Sequence, residues 1–120
     1  MHMTSAVRSI FRALLDSPDP TYTDALAERT ANTWAPADRV LNRLGEKGWV
    51  TSALEPGELA AAQNRGVRRY WTTTNFGRTE GVAHLADWYT LHPTQLAIDT
   101  AERTQSLEAP AAARSLQLDL

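Results

Sequence analysis

The first part of the chain carries apolar residues at helical spacing. They recur at three- and four-residue intervals between residues 4 and 16, which predicts a helix with one apolar face. Residues 17–20 include two prolines and predict a turn, and Thr21-Tyr22 predicts a short strand. The apolar positions of the helix are Val7, Ile10, Phe11, Leu14 and Leu15.

Residues 23–47 predict two short helices joined by a tight turn. Thr23 is expected to cap the first helix and Thr33 the second, because a threonine oxygen can accept hydrogen bonds from free first-turn amides. Pro36 falls in the first turn of the second helix, where its missing amide hydrogen has no intrahelical partner to lose. Gly48 is expected to end this helix. Its apolar face is formed by Val40, Leu41 and Leu44, and its polar face by Arg39, Asn42, Arg43 and Glu46.

A β-hairpin is predicted next. Residues 49–54 and 67–73 are rich in β-branched and aromatic residues, which favours strands. The connection over 55–66 is long for a hairpin, and its alanines permit a helical turn over 58–63.

The last third of the chain predicts helices. Thr74 is expected to cap a helix that runs to about Thr90, and Pro93 separates it from a further helix over 94–107. Residues 109–120 contain one proline and four alanines and predict a flexible tail. The chain is therefore expected to be mainly α, with one small β-hairpin.

Charge is distributed unevenly along the chain. The formal net charge is -2, which by itself does not favour nucleic acid. Residues 34–78, however, contain seven basic and four acidic residues, whereas residues 79–120 contain two basic and six acidic residues. A basic middle beside an acidic end fits a DNA-binding face with a separate partner-facing segment, and ordinary surface scatter is the alternative.

Three blocks of residues together resemble a known family. They are Leu-Ala-Glu-Arg at 26–29, Val-Leu-Asn-Arg-Leu-Gly-Glu-Lys-Gly-Trp-Val at 40–50, and Arg-Arg-Tyr-Trp-Thr-Thr-Thr-Asn-Phe-Gly-Arg at 68–78. The first two resemble a winged helix-turn-helix, and the third resembles the PadR-like transcriptional regulators. The resemblance implies a winged helix-turn-helix domain over 4–90, a C-terminal helical extension over 91–108 that mediates dimerisation, and the tail.

The helix over 33–47 suits a DNA major groove, because its outer face carries arginine and asparagine. Arg39 is the first candidate for base readout, with a solvated side chain or an ion pair with Asp38 or Asp24 as alternatives. Asn42 is expected to read adenine or contact phosphate, and Arg43 to hold a phosphate or form a local ion pair.

The start of this helix would enter the groove, which adds Thr33, Trp34 and Ala35 to the candidates. Trp34 could equally pack under the turn. Asp38 would be repelled by phosphate unless it accepts from a cytosine amine or orients Arg39.

The hairpin would act as the wing, with Arg65, Arg68 and Arg69 as its DNA-contact candidates. Adjacent strand residues face opposite ways, so only one of Arg68 and Arg69 can face the DNA backbone while the other packs or pairs. Tyr70 and Trp71 must divide in the same way. A fully solvated hairpin is the alternative.

The resemblance also implies a homodimer built from the C-terminal helices, with a small-molecule effector as a further partner. Leu85, Trp88, Tyr89 and Leu96 are the candidates for dimer or ligand contact. Plain dimer packing or core filling is the simpler interpretation for Trp88 and Tyr89.

Catalysis and cofactors receive no support from the sequence. There is no cysteine, no glycine-rich phosphate loop and no metal-binding spacing. His84, flanked by Glu80 and Asp87, fits a surface contact better than a metal site. We therefore expect no enzymatic activity, no metal and no cofactor. No apolar run is long enough to span a membrane, and we expect a cytoplasmic protein.

Two functions remain. The first is a homodimeric, sequence-specific transcriptional regulator, expected to be a repressor that occludes a promoter by binding a palindromic operator. The second is a winged-helix adaptor that binds protein without DNA, since fold alone does not fix function. Ion pairing of Arg39 and the wing arginines with neighbouring carboxylates would favour the adaptor.

Overall fold

The chain was analysed in a computed structural model, which describes the backbone of residues 1–118 and the side chains of residues 1–105. The described chain divides into two compact units, residues 1–86 and the residues from Asp87 onward. The elements are α1 (Ser5–Asp16), β1 (Thr21–Tyr22), α2 (Thr23–Arg29), α3 (Trp34–Glu46), β2 (Val50–Leu54), α4 (Gly57–Ala62), β3 (Arg69–Thr73), a π-helical turn (Gly77–Gly81), α5 (Val82–Leu91) and α6 (Pro93–Leu118).

The core of the first unit is built from the apolar faces of α1, α2 and α3. The Thr4 hydroxyl caps α1 by accepting a hydrogen bond from the Val7 amide over 3.2 Å. Threonine is one of the residues preferred at this position. Trp49 lies at the edge of the core, where its ring packs at 5.3 Å from that of Phe11. Each fully buried leucine contributes about 1.5–3 kcal/mol through the removal of its surface from water. The largest fully buried side chains are Ile10, Phe11, Leu14, Leu26, Leu41 and Leu44.

Neither of two predicted threonine caps makes its expected side-chain hydrogen bond. Thr23 is the first residue of α2, and Tyr22 before it makes no side-chain cap bond. The Thr23 hydroxyl instead accepts a hydrogen bond from the indole Nε1 of Trp71 over 3.0 Å, inside the core. Thr33 does occupy the N-cap position of α3, but its side chain makes no cap hydrogen bond either. A buried indole N–H needs an acceptor, which gives Thr23 its role.

The three strands form one antiparallel sheet in the order β1-β3-β2. Val50 pairs with Thr73 and Ser52 with Trp71, so these residues share one face. Trp71 points into the core, whereas Tyr70 packs on the other side against Tyr22 with ring centroids 5.7 Å apart. The predicted division of Tyr70 and Trp71 between the two faces is confirmed.

The connection between β2 and β3 contains the helical turn that its alanines predict, α4. The helix ends in the reverse turn of a Schellman motif, in which the Arg65 amide donates to the Ala60 carbonyl over 3.1 Å. Ala60 is buried, so this segment packs against the domain instead of projecting as an open loop.

The helix predicted from Thr74 begins as expected but is irregular at first. The Thr74 hydroxyl caps it by accepting from the Gly77 amide over 2.9 Å. A π-helical turn, Gly77–Gly81, precedes α5, which ends at Leu91. Pro93 then starts α6, a position where its missing amide hydrogen is no loss.

The helix after Pro93 is longer than predicted. It was expected to end at residue 107 and instead continues to Leu118. The flexibility of residues 109–120 stays a prediction, and the last two residues lie outside the described part of the chain.

Candidate nucleic-acid interface

The turn between α2 and α3 is fixed by polar side chains. The Thr30 hydroxyl donates to the Leu26 carbonyl over 2.7 Å, and the Asn32 side-chain amide donates to the Thr30 hydroxyl over 2.7 Å. The Asn32 backbone amide closes α2 by donating to the Ala27 carbonyl over 2.9 Å. These bonds define the direction in which α3 leaves the turn.

The two faces of α3 divide as the sequence predicts. Ala37, Leu41 and Leu44 are completely buried and hold the helix against the domain. The side chains on the opposite face extend into solvent at the four- and three-residue intervals of a continuous stripe. The exposed residues of α3 are Trp34, Ala35, Arg39, Asn42, Arg43 and Glu46.

Arg39 lies at the middle of this exposed face. Within the part of the chain whose side chains are described, no carboxylate pairs with its guanidinium group. Asp38, one of its suggested partners, instead accepts a hydrogen bond from the Asn42 side-chain amide over 3.3 Å. The guanidinium group of Arg39 is therefore available for a partner outside the domain.

Trp34 is the first residue of α3, and 55% of its surface is exposed. The alternative in which it packs under the turn is therefore wrong. Thr33 and Ala35 on either side are exposed as well. The leading end of the helix thus presents apolar surface, and the polar stripe begins after it.

Arg68 and Arg69 divide between the two faces of the hairpin. The Arg68 guanidinium carbon lies 3.9 Å from the centre of the Tyr22 ring, a cation–π contact on the outer face of the sheet. The Arg69 side chain is exposed and donates to the Ser52 hydroxyl over 2.8 Å. The predicted separation of these two side chains is confirmed.

Arg65 is engaged within the wing. Its guanidinium group forms a two-pronged ion pair with the Glu55 carboxylate, and the Arg68 backbone amide donates to the same carboxylate over 2.8 Å. The hydrogen bond from Arg65 lowers the pKa of Glu55 below its usual value, and the same bond raises the pKa of Arg65. Arg65 thus closes the base of the α4 segment, and its contact with DNA stays a prediction.

The candidates for dimer or ligand contact are spread over both units. Leu85 is buried in the first unit. In the second unit, the Tyr89 hydroxyl donates to Asp99, and the Trp88 ring stacks on His92 with centroids 3.9 Å apart. Leu96 keeps 42% of its surface exposed. Tyr89 therefore serves the packing of its own unit.

Two groups of residues escaped the sequence analysis. Tyr22 supports Arg68, which only the register of β1 against β3 shows, because the two residues are far apart in the chain. Leu91 and Ile98 are exposed apolar residues of α5 and α6, at 78% and 45%. Both residues are apolar in the sequence, but the sequence alone did not show that they are exposed.

The described side chains offer no group of three or more metal-ligating residues. No helix in the described part of the chain is both long and apolar enough to cross a membrane.

Comparison with known proteins places these elements in a common architecture. No protein-family model matches the chain, and no curated protein sequence matches it. Solved structures do match. The PcaV transcriptional regulator from Streptomyces coelicolor, solved with its natural ligand, has a TM-score of 0.52 at 22% identity, with 98% of this chain and 70% of that chain covered.

Two further structures agree. The transcriptional regulator PA4135 has a TM-score of 0.57 at 20% identity, covering 94% of this chain and 78% of that one. A possible transcriptional regulator from Methanosarcina mazei Go1 has a TM-score of 0.55 at 16% identity, covering 79% and 78%. The fold is a winged helix-turn-helix. The predicted fold class is thereby confirmed; two of these structures are transcriptional regulators and the third is a possible one.

Proposed function

We propose that this chain is a sequence-specific DNA-binding transcriptional regulator that acts as a homodimeric repressor. Each subunit would insert α3 into the major groove and place the β2–β3 hairpin on the DNA backbone. Two such subunits related by a two-fold axis would read a palindromic operator. The similarity in fold to two transcriptional regulators, PcaV and PA4135, supports this proposal.

The observation that carries the proposal is the unpaired guanidinium group of Arg39 on the exposed face of α3. A fork of N–H donors at this place matches the O6 and N7 acceptors of guanine. No described carboxylate pairs with it, so no internal bond has to break before it reaches a base. Asn42, held by Asp38, would contact an adjacent base or phosphate, and Arg43 a phosphate.

The wing would bind the phosphate backbone chiefly through Arg69, because its side chain is exposed and, among residues 1–105, donates only to the Ser52 hydroxyl. Arg68, held over the Tyr22 ring by its cation–π contact, would add positive charge to the wing. Arg65 is the weakest of the three candidates, since releasing it would leave the Glu55 carboxylate without its ion-pair partner.

The dimer and the effector are the finer parts of the proposal. Leu91, Leu96 and Ile98 expose apolar surface on α5 and α6, and the association of two copies would remove it from water. A small-molecule effector would release the repressor by changing the spacing of the two α3 helices. The bound natural ligand of PcaV supports an effector in this fold. The Arg-Arg-Tyr-Trp pattern at 68–71 supports membership of the PadR-like group as the family proposal. The proposed location is the cytoplasm.

A winged-helix adaptor that binds only protein is the competing function. Neutralisation of Arg39 and the wing arginines by carboxylates would favour it. Arg65 meets that condition, but Arg39 and Arg69 do not, among the described side chains. The regulator is therefore the better-supported function.

The test is selection of bound sequences from a random double-stranded DNA pool by the full-length chain. A palindromic winner, with half-sites about one helical turn apart, is the expected result. Retention of DNA without any enriched sequence would reject specific recognition. No retention even at low salt would reject DNA binding and favour the adaptor.

A further inference from the structure

The leading end of α3 carries an apolar surface that the polar stripe of this helix does not explain. Trp34 keeps 55% of its surface in contact with solvent, and its neighbours Thr33 and Ala35 are exposed too. A large aromatic side chain gains free energy when its surface leaves water, and tryptophan is enriched where surfaces meet a partner. The position therefore marks a contact surface.

The charges on the same helix define the partner. Arg39 and Arg43 follow Trp34 on the exposed side, and neither is paired with a carboxylate among the described side chains. If two copies of α3 met across a two-fold axis, these guanidinium groups would face each other. A polyanion that also presents an apolar group is a better partner for this surface than a second copy of α3. In the major groove that apolar group is the C5 methyl of thymine, which alanine, threonine methyl and aromatic side chains contact.

We propose that Thr33, Trp34 and Ala35 form a methyl-reading surface that recognises thymine in the operator. This inference rests on the proposed function and specifies what its site reads. Trp34 lies five positions before Arg39, which is about 7.5 Å along the helix axis. The thymine would therefore belong to a different base pair from the guanine that Arg39 contacts.

The experiment removes the methyl group and leaves base pairing intact. The duplex that the full-length chain selects from the random pool is resynthesised with each thymine replaced in turn by deoxyuridine. Affinities are measured by fluorescence anisotropy for the unmodified chain, Trp34→Ala, Trp34→Phe and Arg78→Ala, the last at an exposed position outside α3 and the hairpin. Thermal unfolding followed by circular dichroism checks that each variant is folded.

The unmodified chain is expected to lose about fourfold in affinity at one or two thymines, the value for one buried methyl group. The loss should disappear in Trp34→Ala and persist in Arg78→Ala, which keeps the methyl-reading surface. Trp34→Phe, which retains part of the apolar surface, should show a reduced loss and still bind if Trp34→Ala does not.

Three results would overturn the inference. If Trp34→Ala retains the full deoxyuridine loss, another residue reads the methyl group. If no thymine of a tightly bound duplex matters to the unmodified chain, there is no methyl readout, although specific DNA binding stands. If the chain selects no sequence at all, this inference falls together with the proposed function.

Discussion

At the scale of single residues, the ends of three helices depend on positions in the left-handed backbone region. Gly48, Ala31 and Asn64 have φ angles of 78°, 56° and 54°. Glycine adopts this region freely and asparagine tolerates it, whereas alanine is strained there because of its Cβ atom. Ala31 is therefore the residue at which side chain and backbone conformation disagree.

Replacing Ala31 by glycine should stabilise the protein. The change removes the Cβ atom from a left-handed position, and we expect the free energy of unfolding to rise by about 1 kcal/mol. Ala83→Gly is the matched control, because Ala83 is exposed within α5 and should lose about 1 kcal/mol. Urea denaturation of both variants measures the difference, and two changes of the same sign would contradict this interpretation of Ala31.

Arg39→Ala should remove specific DNA binding without affecting the fold. The loss of a bidentate contact to guanine corresponds to about 1–3 kcal/mol, or roughly fivefold to 150-fold in affinity for the selected operator. Arg78→Ala removes the same charge from an exposed position outside α3 and the hairpin. Gel-shift titrations should separate the two variants, and equal losses would indicate a general charge effect in place of base readout.

Some residue roles could be predicted from the sequence and others could not. The exposed face of α3 followed from periodicity alone, because the burial of Leu41 and Leu44 turns Arg39 outward. The role of Thr23 did not follow, since its partner Trp71 is 48 residues away and the pairing depends on the packed sheet. The ion pair between Arg65 and Glu55 was not predicted either, because it too depends on how the folded hairpin brings the two side chains together.

At the scale of elements, the wing is a closed structure and not an open loop. Glu55 is buried and accepts hydrogen bonds from Arg65 and from the Arg68 amide, which joins the two ends of the segment that contains α4. A buried carboxylate that loses these donors would be left unsatisfied. The wing should therefore open when Glu55 loses its charge.

This closure gives the wing a defined pH dependence. The pKa of Glu55 is lower in the folded protein than its ordinary value, because of the bond from Arg65, so its contribution to stability is present above the ordinary pKa. That contribution is lost as the pH falls from about 4.3, the ordinary value, through the lower folded pKa. Glu55→Gln should be less stable at neutral pH, and the difference from the unmodified protein should shrink with falling pH.

Denaturation curves at a series of pH values measure this difference. Glu58→Gln is the control, since Glu58 is exposed in the adjacent α4. A stability difference for Glu55→Gln that stays constant from pH 7 to pH 3 would contradict the assigned role of the carboxylate.

The π-helical turn before α5 approaches its neighbours closely. A Cβ atom at Gly77 would lie 2.0 Å from the Trp49 carbonyl oxygen, and one at Gly81 would lie 2.6 Å from the Phe11 ring. Both glycines let the helix approach the start of the hairpin and the core. Sequence periodicity located this helix but not its irregular first turn, because the close approach is a tertiary property.

Gly77→Ala should therefore be strongly destabilising. The neighbouring atom is a backbone oxygen that cannot rotate away, and we expect a loss of about 3 kcal/mol in the free energy of unfolding. Gly57→Ala is the control, because nothing lies within 4 Å of a Cβ atom at that position. Thermal and urea unfolding compare the two, and a Gly77→Ala variant as stable as Gly57→Ala would refute the close contact.

At the scale of the whole molecule, the C-terminal helices α5 and α6 carry part of the exposed apolar surface. Leu91 is 78% exposed and Leu96 is 42% exposed, so a second copy that covered both would remove their apolar surface from water. The proposed dimer is therefore tested at Leu91.

Leu91→Asp should dissociate the proposed dimer. Losing one buried leucine from each half of an interface weakens association by about 2 kcal/mol or more, roughly thirtyfold in the dissociation constant. Ala61→Asp adds the same charge at an exposed position of α4 and should leave association unchanged. Sedimentation velocity at micromolar concentration measures the association of both variants and of the unmodified chain. If the unmodified chain sediments only as a monomer, the symmetric dimer is ruled out.

The Thr74 hydroxyl has a mechanical consequence. It donates to the Gly48 carbonyl over 2.6 Å, just past the end of α3, and it accepts from the Gly77 amide over 2.9 Å. One oxygen atom therefore links the chain just after α3 to the start of the helical segment that follows the hairpin. A tilt of either segment against the other would stretch these two hydrogen bonds, so a displacement of the later segment would be felt at the end of α3.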